Sequence, residues 1–223
     1  MYTCQEFVDN SSKVAPVRGY LHQTAASGAD CLILTHGAGG NCDSPLLIGL
    51  ANAFSSSGLT VLRCNLPFRQ ERPFGPPPRS SAERDQAGLR AAVESMRRHG
   101  SGQVFLGGHS YGGRQASILA ADEPGLVKTL LLLSYPLHPP QRPEELRTRH
   151  LPRLQTPVLF VHGTRDNYAT TSEMEAALKF IPARTELLSV PGAGHELMKK
   201  QNRDTLQQLI VHAFCSFVGL PLA

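Results

Sequence analysis

Ser110 lies at the centre of the segment GGHSYGG, Gly107–Gly113, which follows the apolar run Val104–Leu106. Glycine tolerates tight turns and close backbone approach but is costly in ordered elements, so four glycines around one hydroxyl indicate a specific geometric need. Gly108–Gly112 matches G-x-S-x-G, in which a sharp turn from a strand into a helix exposes a nucleophilic serine. The apolar run before it and the helix-forming RQASILAA after it supply that context. We therefore interpret Ser110 as a nucleophile for covalent catalysis.

A serine nucleophile needs a base and a carboxylate that orients the base, here in the chain order serine, acid, histidine. Asp166 follows the run Val158–Val161 within HGTRDN, and His195 follows Glu186–Val190 within PGAGHE. Loops at the carboxyl ends of parallel strands meet at one edge of an α/β sheet. In some proteins of this architecture the acid follows the preceding strand instead. Here that strand is followed by SYPLH, Ser134–His138, which contains no acid, so Asp166 is the better choice. We predict a triad of Ser110, His195 and Asp166.

The glycine-rich segment HGAGG, His36–Gly40, follows the first apolar run and predicts an oxyanion hole. Such a hole needs two backbone N–H groups that point at the charge developing on a carbonyl oxygen. We assign them to Tyr111, directly after the nucleophile, and to Ala38, with Gly39 as the alternative donor. A phosphate-binding loop is the competing interpretation, but no Gly-Lys-Ser/Thr follows and the G-x-G-x-x-G spacing is absent.

Short β-type runs alternate with amphipathic stretches of helical length, which predicts an α/β fold. Most runs are continuously apolar, as is typical of parallel strands covered on both faces. We expect one domain, residues 1–223, with a mostly parallel central sheet, helices on both faces, and one or two antiparallel edge strands before Asp30. The predicted strands span residues 31–35, 60–64, 103–106, 128–134, 158–161 and 186–190, and the predicted helices span 45–57, 82–99, 112–121, 172–180 and 196–218.

The composition excludes several classes of function. The 223 residues are 41% hydrophobic and 18% charged, and the net charge of +4 is scattered, without the pattern of a nucleic-acid-binding protein. No run is long enough to span a membrane, and the first twenty residues lack a secretory signal, which favours a cytoplasmic location. The five cysteines have no CxxC pair and are interpreted as free thiols. No spacing of metal ligands is present, so we predict neither a metal nor a cofactor.

Together these motifs resemble the α/β-hydrolase superfamily from about Asp30 to the carboxyl terminus. The resemblance rests on HGAGG, GHSYGG, PVLFVHGTRDNYAT and PGAGHEL. More narrowly, the chain is similar to the compact, cap-less dienelactone-hydrolase-like group, through NLPFRQERPFGPPP and SYPLHPPQRPEELRTRHLPRLQTPVLFVHGTRD. Within it, the chain most resembles the cluster of the third subunit of the NSL histone acetyltransferase complex and its testis-expressed relative. Dienelactone hydrolases use a cysteine where this chain has Ser110, which argues against a lactone substrate.

The substrate site is expected to be open, since too few residues separate Tyr135 from Pro157 for a helical cap. The proline-rich stretch Leu66–Ser81 is predicted to be a loop, which forms either a flap over the site or a surface that binds a partner. Phe68, Phe74 and Leu137 are candidate apolar walls, with local packing as the equal alternative. Arg114, on the helix after Ser110, is interpreted either as part of an internal ion pair or as a fork that binds a substrate carboxylate.

Three other histidines are assigned structural roles: His36 and His162 in packing or loop hydrogen bonds, and His109 in sheet packing. The expected activity is that of a serine hydrolase acting on small ester or thioester substrates. The alternative is a non-catalytic, hydrolase-like scaffold that binds a protein partner, and the oligomeric state is left open. An intact triad and oxyanion loop favour the enzyme, because a pure scaffold has no need of all four parts.

Overall fold

The computed structural model describes residues 2–25, 28–199 and 202–221, and its described part is organised around one eight-stranded sheet. The strand order is β1-β2-β4-β3-β5-β6-β7-β8. Strands β1 and β2 run antiparallel to their neighbours, and β4, β3, β5, β6, β7 and β8 are mutually parallel. The bounds are β1 Tyr2–Asp9, β2 Val17–Thr24, β3 Cys31–Thr35, β4 Thr60–Cys64, β5 Val104–His109, β6 Leu130–Leu133, β7 Val158–Gly163 and β8 Thr185–Val190.

Helices cover both faces of this sheet, which confirms the predicted α/β architecture. One apolar cluster joins the sheet to α3 and α4, and a second joins its other face to α1 and α6. The central strands β3, β4, β5, β6 and β7 are buried at every residue, which accounts for their largely apolar sequences. The helices are α1 Pro45–Ser56, α2 Pro67–Glu71, α3 Ala82–Arg98, α4 Tyr111–Asp122, α5 Thr171–Leu178 and α6 Arg203–Val218.

The register of the parallel strands places the predicted site motifs together. Thr35 of β3 pairs with Gly108 of β5, so the loop after β3 begins beside the turn that carries Ser110. Gly163 of β7 pairs with Val190 of β8, so the loops after these two strands also leave the sheet side by side. All four loops therefore lie at the carboxyl edge of the sheet, where ligands bind in open α/β folds.

The connection from β6 to β7 contains no cap domain, as expected. Its only helical element is the 3₁₀ turn Leu151–Arg153, and the buried Leu137, Leu151 and Leu154 pack this segment against the core. The carboxyl edge of the sheet is thus left uncovered by an inserted domain.

Two expectations about helices were wrong. The predicted loop Leu66–Ser81 contains the short helix α2 and a 3₁₀ turn, Arg79–Ser81. Pro67 occupies the first turn of α2, where proline's missing N–H has no intrahelical partner to lose. The final helix begins at Arg203 rather than at residue 196, because Leu197 adopts a positive φ of 57° that breaks the helical path.

Within residues 2–25, 28–199 and 202–221, no helix has both the length and the apolar character needed to cross a membrane. All five cysteines are free thiols.

Candidate active site

Ser110 sits in a strained turn between β5 and α4. Its φ of 50° is unusual for a residue with a side chain, and its backbone N–H donates to the Leu133 carbonyl at 2.8 Å. The flanking glycines explain the motif. A Cβ atom on Gly112 would lie 2.4 Å from the His36 carbonyl oxygen, and one on Gly108 would lie 2.6 Å from the Gly113 nitrogen. Only glycine allows this approach of turn, helix and neighbouring loop.

Ser110, His195 and Asp166 form one chain of hydrogen-bonded side chains. His195 Nε2 lies 2.8 Å from Ser110 Oγ, and His195 Nδ1 lies 2.9 Å from Asp166 Oδ2. The Asp166 side chain is fully buried, whereas the His195 side chain is 19% exposed. A hydrogen bond from the ring N–H to a buried carboxylate is stronger than the same bond in water, because the local dielectric is low. This arrangement lets Asp166 orient the ring while Nε2 faces the hydroxyl.

Tyr168 supports this chain, and its part was not foreseen from the sequence. Its ring stacks on the His195 ring with centroids 4.1 Å apart and planes 30° apart. Its backbone N–H donates to Asp166 Oδ1 at 2.8 Å. Tyr168 thus contacts both the base and the acid. The only feature of the sequence that could have indicated this role is the position of Tyr168, two residues after Asp166.

The sequence predicts a role in sheet packing for His109. The structure shows that His109 also contacts His195. Its Nε2–H donates to the His195 carbonyl oxygen at 2.9 Å. Burial lowers the pKa of His109, which favours the neutral ring that this hydrogen bond uses. His162 has a comparable role, since its Nε2–H donates to the Ala169 carbonyl at 2.8 Å. Both histidines fix the loops that carry the triad residues.

The loop His36–Gly40 lies beside Ser110, where the two predicted oxyanion donors, the backbone N–H groups of Ala38 and Tyr111, are located. Within the described ranges, no hydrogen-bond acceptor is found for the backbone N–H of Ala38 or of Tyr111. His36 anchors the loop: its Nδ1–H donates to the Gly37 carbonyl, and its Nε2 accepts from the Leu66 N–H at 3.1 Å. Burial lowers the pKa of His36 to about 4, so the ring is neutral at pH 7.

Arg69, in α2, clamps the same loop through backbone carbonyls. Its Nη2 donates to the carbonyl of Ala38 at 2.7 Å and to that of Gly75 at 3.0 Å. Its Nε donates to the Gly40 carbonyl at 2.8 Å, and its Nη1 to the Arg72 carbonyl at 2.9 Å. Arg69 is 5% exposed, and burial lowers its pKa. No sequence motif indicated this clamp, because backbone carbonyls carry no residue identity.

Asp85, in α3, ties Tyr111 to the proline-rich segment. This fully buried carboxylate accepts from the Tyr111 hydroxyl at 2.8 Å and from the Phe68 N–H at 3.0 Å. Burial raises the pKa of Asp85. The Phe68 ring packs edge-on against the rings of Tyr111 and His36, with centroids 5.7 Å apart in each pair. The residues that flank Ser110 on this side are therefore held by a shared polar and aromatic network.

Two cavities meet at Ser110. The first, of about 540 Å³, is lined by His36–Gly40, Ser44–Leu46, His109, Tyr168, His195, Glu196 and Met198, and we call it the histidine cavity. The second, of about 400 Å³, is lined by Tyr111, Pro136 and three arginines, among others, and we call it the arginine cavity. Ser110, Ala38 and Tyr168 line both cavities. A bound molecule can thus extend to either side of the serine hydroxyl.

The predicted pocket residues differ in where they lie. Phe68 and Leu137 are buried in the core, and Phe74 is 86% exposed, so none of the three lines either cavity. Aromatic packing draws Phe68 inward, and the core under the β6–β7 connection draws Leu137 inward. Arg114 does line the arginine cavity, and none of the ion pairs between described residues includes it. From the proline-rich segment, Pro77 and Pro78 reach that cavity instead.

No group of three or more histidine, cysteine or acidic side chains within residues 2–25, 28–199 and 202–221 is placed to hold a metal ion.

Solved structures from bacteria share this fold over almost the whole chain. Est1E from Butyrivibrio proteoclasticus superposes with a TM-score of 0.76 at 17% identity, covering 98% of each chain. A dienelactone hydrolase from Anabaena variabilis gives 0.75 at 21%, covering 96% of this chain and 98% of that one. XC6422 from Xanthomonas campestris, described as an α/β serine hydrolase without a lid, gives 0.72 at 17%, covering 99% and 96%.

The sequence itself matches a family. The model of the family described as "Alpha/beta hydrolase domain" matches residues 28–219, which is most of the chain and includes every loop of the site described above. The superfamily resemblance inferred from the motifs is thereby confirmed. This protein belongs to the alpha/beta hydrolase family.

Proposed function

We propose that this protein is a serine hydrolase that cleaves small ester or thioester substrates through an acyl-enzyme intermediate. The observation that carries the proposal is the hydrogen-bonded chain from Ser110 through His195 to the buried Asp166. In this arrangement a histidine removes the serine proton while the carboxylate holds the ring and balances its charge.

In the first half-reaction, His195 Nε2 takes the Ser110 proton and Oγ bonds to the substrate carbonyl carbon. The negative charge moves onto the carbonyl oxygen, where the N–H groups of Ala38 and Tyr111 stabilise it. His195 then passes its proton to the leaving oxygen or sulfur as that bond breaks. The alcohol or thiol departs, and the acyl group stays on Ser110.

In the second half-reaction, water replaces the departed alcohol or thiol. His195 takes a proton from the water, and the resulting hydroxide attacks the acyl carbon through a second oxyanion in the same site. Collapse of this intermediate breaks the bond to Oγ, returns the proton to Ser110 and releases a carboxylic acid. Neither half-reaction uses a metal or a cofactor.

A non-catalytic scaffold that binds a protein partner is the second candidate. The narrower resemblance to the NSL-complex cluster suggests it, and the exposed Phe74 on a proline-rich surface favours it. The cytoplasmic location, the single domain of residues 1–223 and the lack of a metal or cofactor stay predictions from the sequence.

Covalent labelling separates the two candidates. A fluorophosphonate probe reacts with an activated serine, so we expect the wild-type protein to be labelled at Ser110 and Ser110→Ala to be unlabelled. Ser172→Ala is the matched control, because Ser172 is exposed at the start of α5 and far from the elbow in sequence. The control is expected to label like the wild type. A folded, monodisperse wild-type sample that fails to label would overturn the enzyme proposal in favour of the scaffold.

A further inference from the structure

We propose that the arginine cavity binds a carboxylate on the acyl part of the substrate, so that the preferred substrates are half-esters or half-thioesters of short dicarboxylic acids. This inference rests on the proposed function and specifies its substrate class. It starts from a cluster of cations beside Ser110 for which the described part of the chain provides no counter-ion.

All the charged side chains that line the arginine cavity are cationic. Arg79, Arg114 and Arg147 line it, and no aspartate or glutamate does. None of the ion pairs formed between described residues includes any of the three arginines. Elsewhere on this protein, arginines such as Arg98 and Arg153 do pair with carboxylates. An anion is therefore the chemical complement of the cavity.

Arg114 and Arg147 are both partly buried, and Arg147 is anchored by hydrogen bonds. The Nε of Arg114 is buried without a hydrogen-bond partner. Arg147 is fixed through its backbone: its N–H donates to the Leu137 carbonyl at 2.8 Å, and its carbonyl accepts from the Tyr135 hydroxyl at 2.8 Å. Burial and the nearby Arg114 both lower the pKa of Arg147, which reflects the cost of keeping two cations together. A bound carboxylate relieves that cost.

The guanidinium group suits a carboxylate in shape as well as charge. Its planar fork presents parallel N–H groups that match two carboxylate oxygens. Of the side-chain nitrogens of Arg147, Nη1 already donates to the Pro136 carbonyl at 3.1 Å. That contact anchors one end of the group and leaves its remaining donors for a ligand.

The position of His195 decides which part of the substrate enters this cavity. His195 lines the histidine cavity and not the arginine cavity. Because the base must hand its proton to the leaving atom, the leaving group lies on the histidine side. The acyl group then extends to the other side of Ser110, towards the arginines. Hydrolysis of such a substrate consumes one water and releases a dicarboxylic acid and an alcohol or thiol.

A pair of matched esters tests this inference without any mutation. Mono-4-nitrophenyl glutarate carries a free carboxylate, and 4-nitrophenyl methyl glutarate is the same chain with that carboxylate capped. We expect kcat/KM of the wild-type protein to be at least about tenfold higher for the free acid, as charge-assisted hydrogen bonds to arginine predict. Raising the salt concentration is expected to reduce this preference.

An arginine variant then locates the preference. Arg147→Gln is expected to lose most of the ratio between the two esters, whereas Arg149→Gln keeps it. Arg149 is the matched control, since it is exposed, lies two residues away and lines neither cavity. Fluorophosphonate labelling and the melting temperature show whether each variant keeps a folded, reactive site.

Several outcomes would overturn the inference. They are equal efficiencies for the two esters in the wild type, the same ratio in Arg147→Gln as in Arg149→Gln, or a preference for a carboxylate on the leaving group instead. Labelling and ester hydrolysis without any carboxylate preference defeat this inference and leave the proposed function standing. Absence of both labelling and hydrolysis defeats the proposed function and this inference together.

Discussion

The two walls of the site are built in different ways. We call the loops after β7 and β8, with Asp166, Tyr168 and His195, the triad wall, and we call the loop His36–Gly40 with the segment Leu66–Ser81 the backbone wall. In the triad wall, side chains hydrogen-bond to one another in a line that ends on Ser110. In the backbone wall, the side chains of Arg69 and His36 bind main-chain carbonyls and N–H groups.

This difference has a chemical reason. Moving a proton needs groups that change ionisation, and only side chains such as histidine do so near neutral pH. Holding an oxyanion needs donors that stay fixed in space, and backbone N–H groups do this best when their loop is clamped. We therefore expect substitutions in the triad wall to abolish the reaction and substitutions in the backbone wall to slow it.

The largest effect is expected in the triad wall. Asp166→Asn and His195→Ala are each expected to lower kcat roughly 10³- to 10⁴-fold on a short 4-nitrophenyl ester, because the base loses its orientation or is removed. Either change combined with Ser110→Ala is expected to cost little more than Ser110→Ala alone, since the triad acts as a unit. Steady-state kinetics of the single and double variants measure this. Additive losses would show that these residues do not share one mechanism.

A smaller effect is expected from the clamp in the backbone wall. Arg69→Lys keeps the charge but loses the fork that spans four carbonyls, so the Ala38 N–H shifts relative to Ser110. We expect kcat to fall about tenfold to a hundredfold, less than the loss of a whole oxyanion donor, with KM changing much less. Arg72→Lys, an exposed arginine three residues along, is the control. Equal values of kcat for the two variants would remove Arg69 from the positioning of the oxyanion loop.

Acid is expected to weaken the backbone wall through His36. Its folded pKa of about 4 lies below the ordinary value of 6.5, so the unfolded chain takes up this proton first as the pH falls. The stability that a neutral His36 provides is present at pH 7 and is lost as the pH drops from about 6.5 towards 4. By linkage, lowering the pH from 7 to 5.5 costs about 1 kcal/mol of unfolding free energy for this one group.

Urea unfolding at a series of pH values measures this loss. His36→Asn is expected to make the free energy of unfolding depend less steeply on pH, whatever the variant's stability at pH 7. His212→Asn, at an exposed position of α6, is the control and is expected to leave the slope as in the wild type. A His36→Asn slope equal to that of the wild type would show that the pKa of His36 does not differ between the folded and the unfolded chain.

The smallest effect concerns the length of a neutral acyl chain. With no cap domain, the walls around Ser110 bury few methylene groups, each of which adds about 0.8 kcal/mol when buried. We expect kcat/KM to rise from acetyl to butyryl esters, to level off and to fall for acyl chains of ten carbons or more. A series of 4-nitrophenyl esters measures it. An efficiency that still rises at ten carbons would reveal a deep apolar channel and refute the open site.

Most of the fold could be predicted from the sequence because its signals are local. Apolar runs predicted the six parallel strands, β3 to β8. Each strand begins and ends within a few residues of its predicted bounds. The predicted loop at Leu66–Ser81 was the main error, since a proline at a helix start is compatible with a short helix as well as with a loop. The motifs at Ser110, Asp166 and His195 were recognisable because each lies in the short segment that follows a strand.

Local patterns in the sequence were thus enough to predict most of the strands and helices, the superfamily, and Asp166 and His195 as partners of Ser110. Which side chains support these three residues depends on how distant segments pack together. His109 and Arg69 donate to backbone carbonyls that are distant in sequence, and backbone atoms leave no pattern in a sequence. Tyr168 stacks on the ring of His195, which belongs to a different loop. The packing likewise drew Phe68 and Leu137 into the core and left Arg114 and Arg147 facing a cavity, because burial depends on contacts between distant segments.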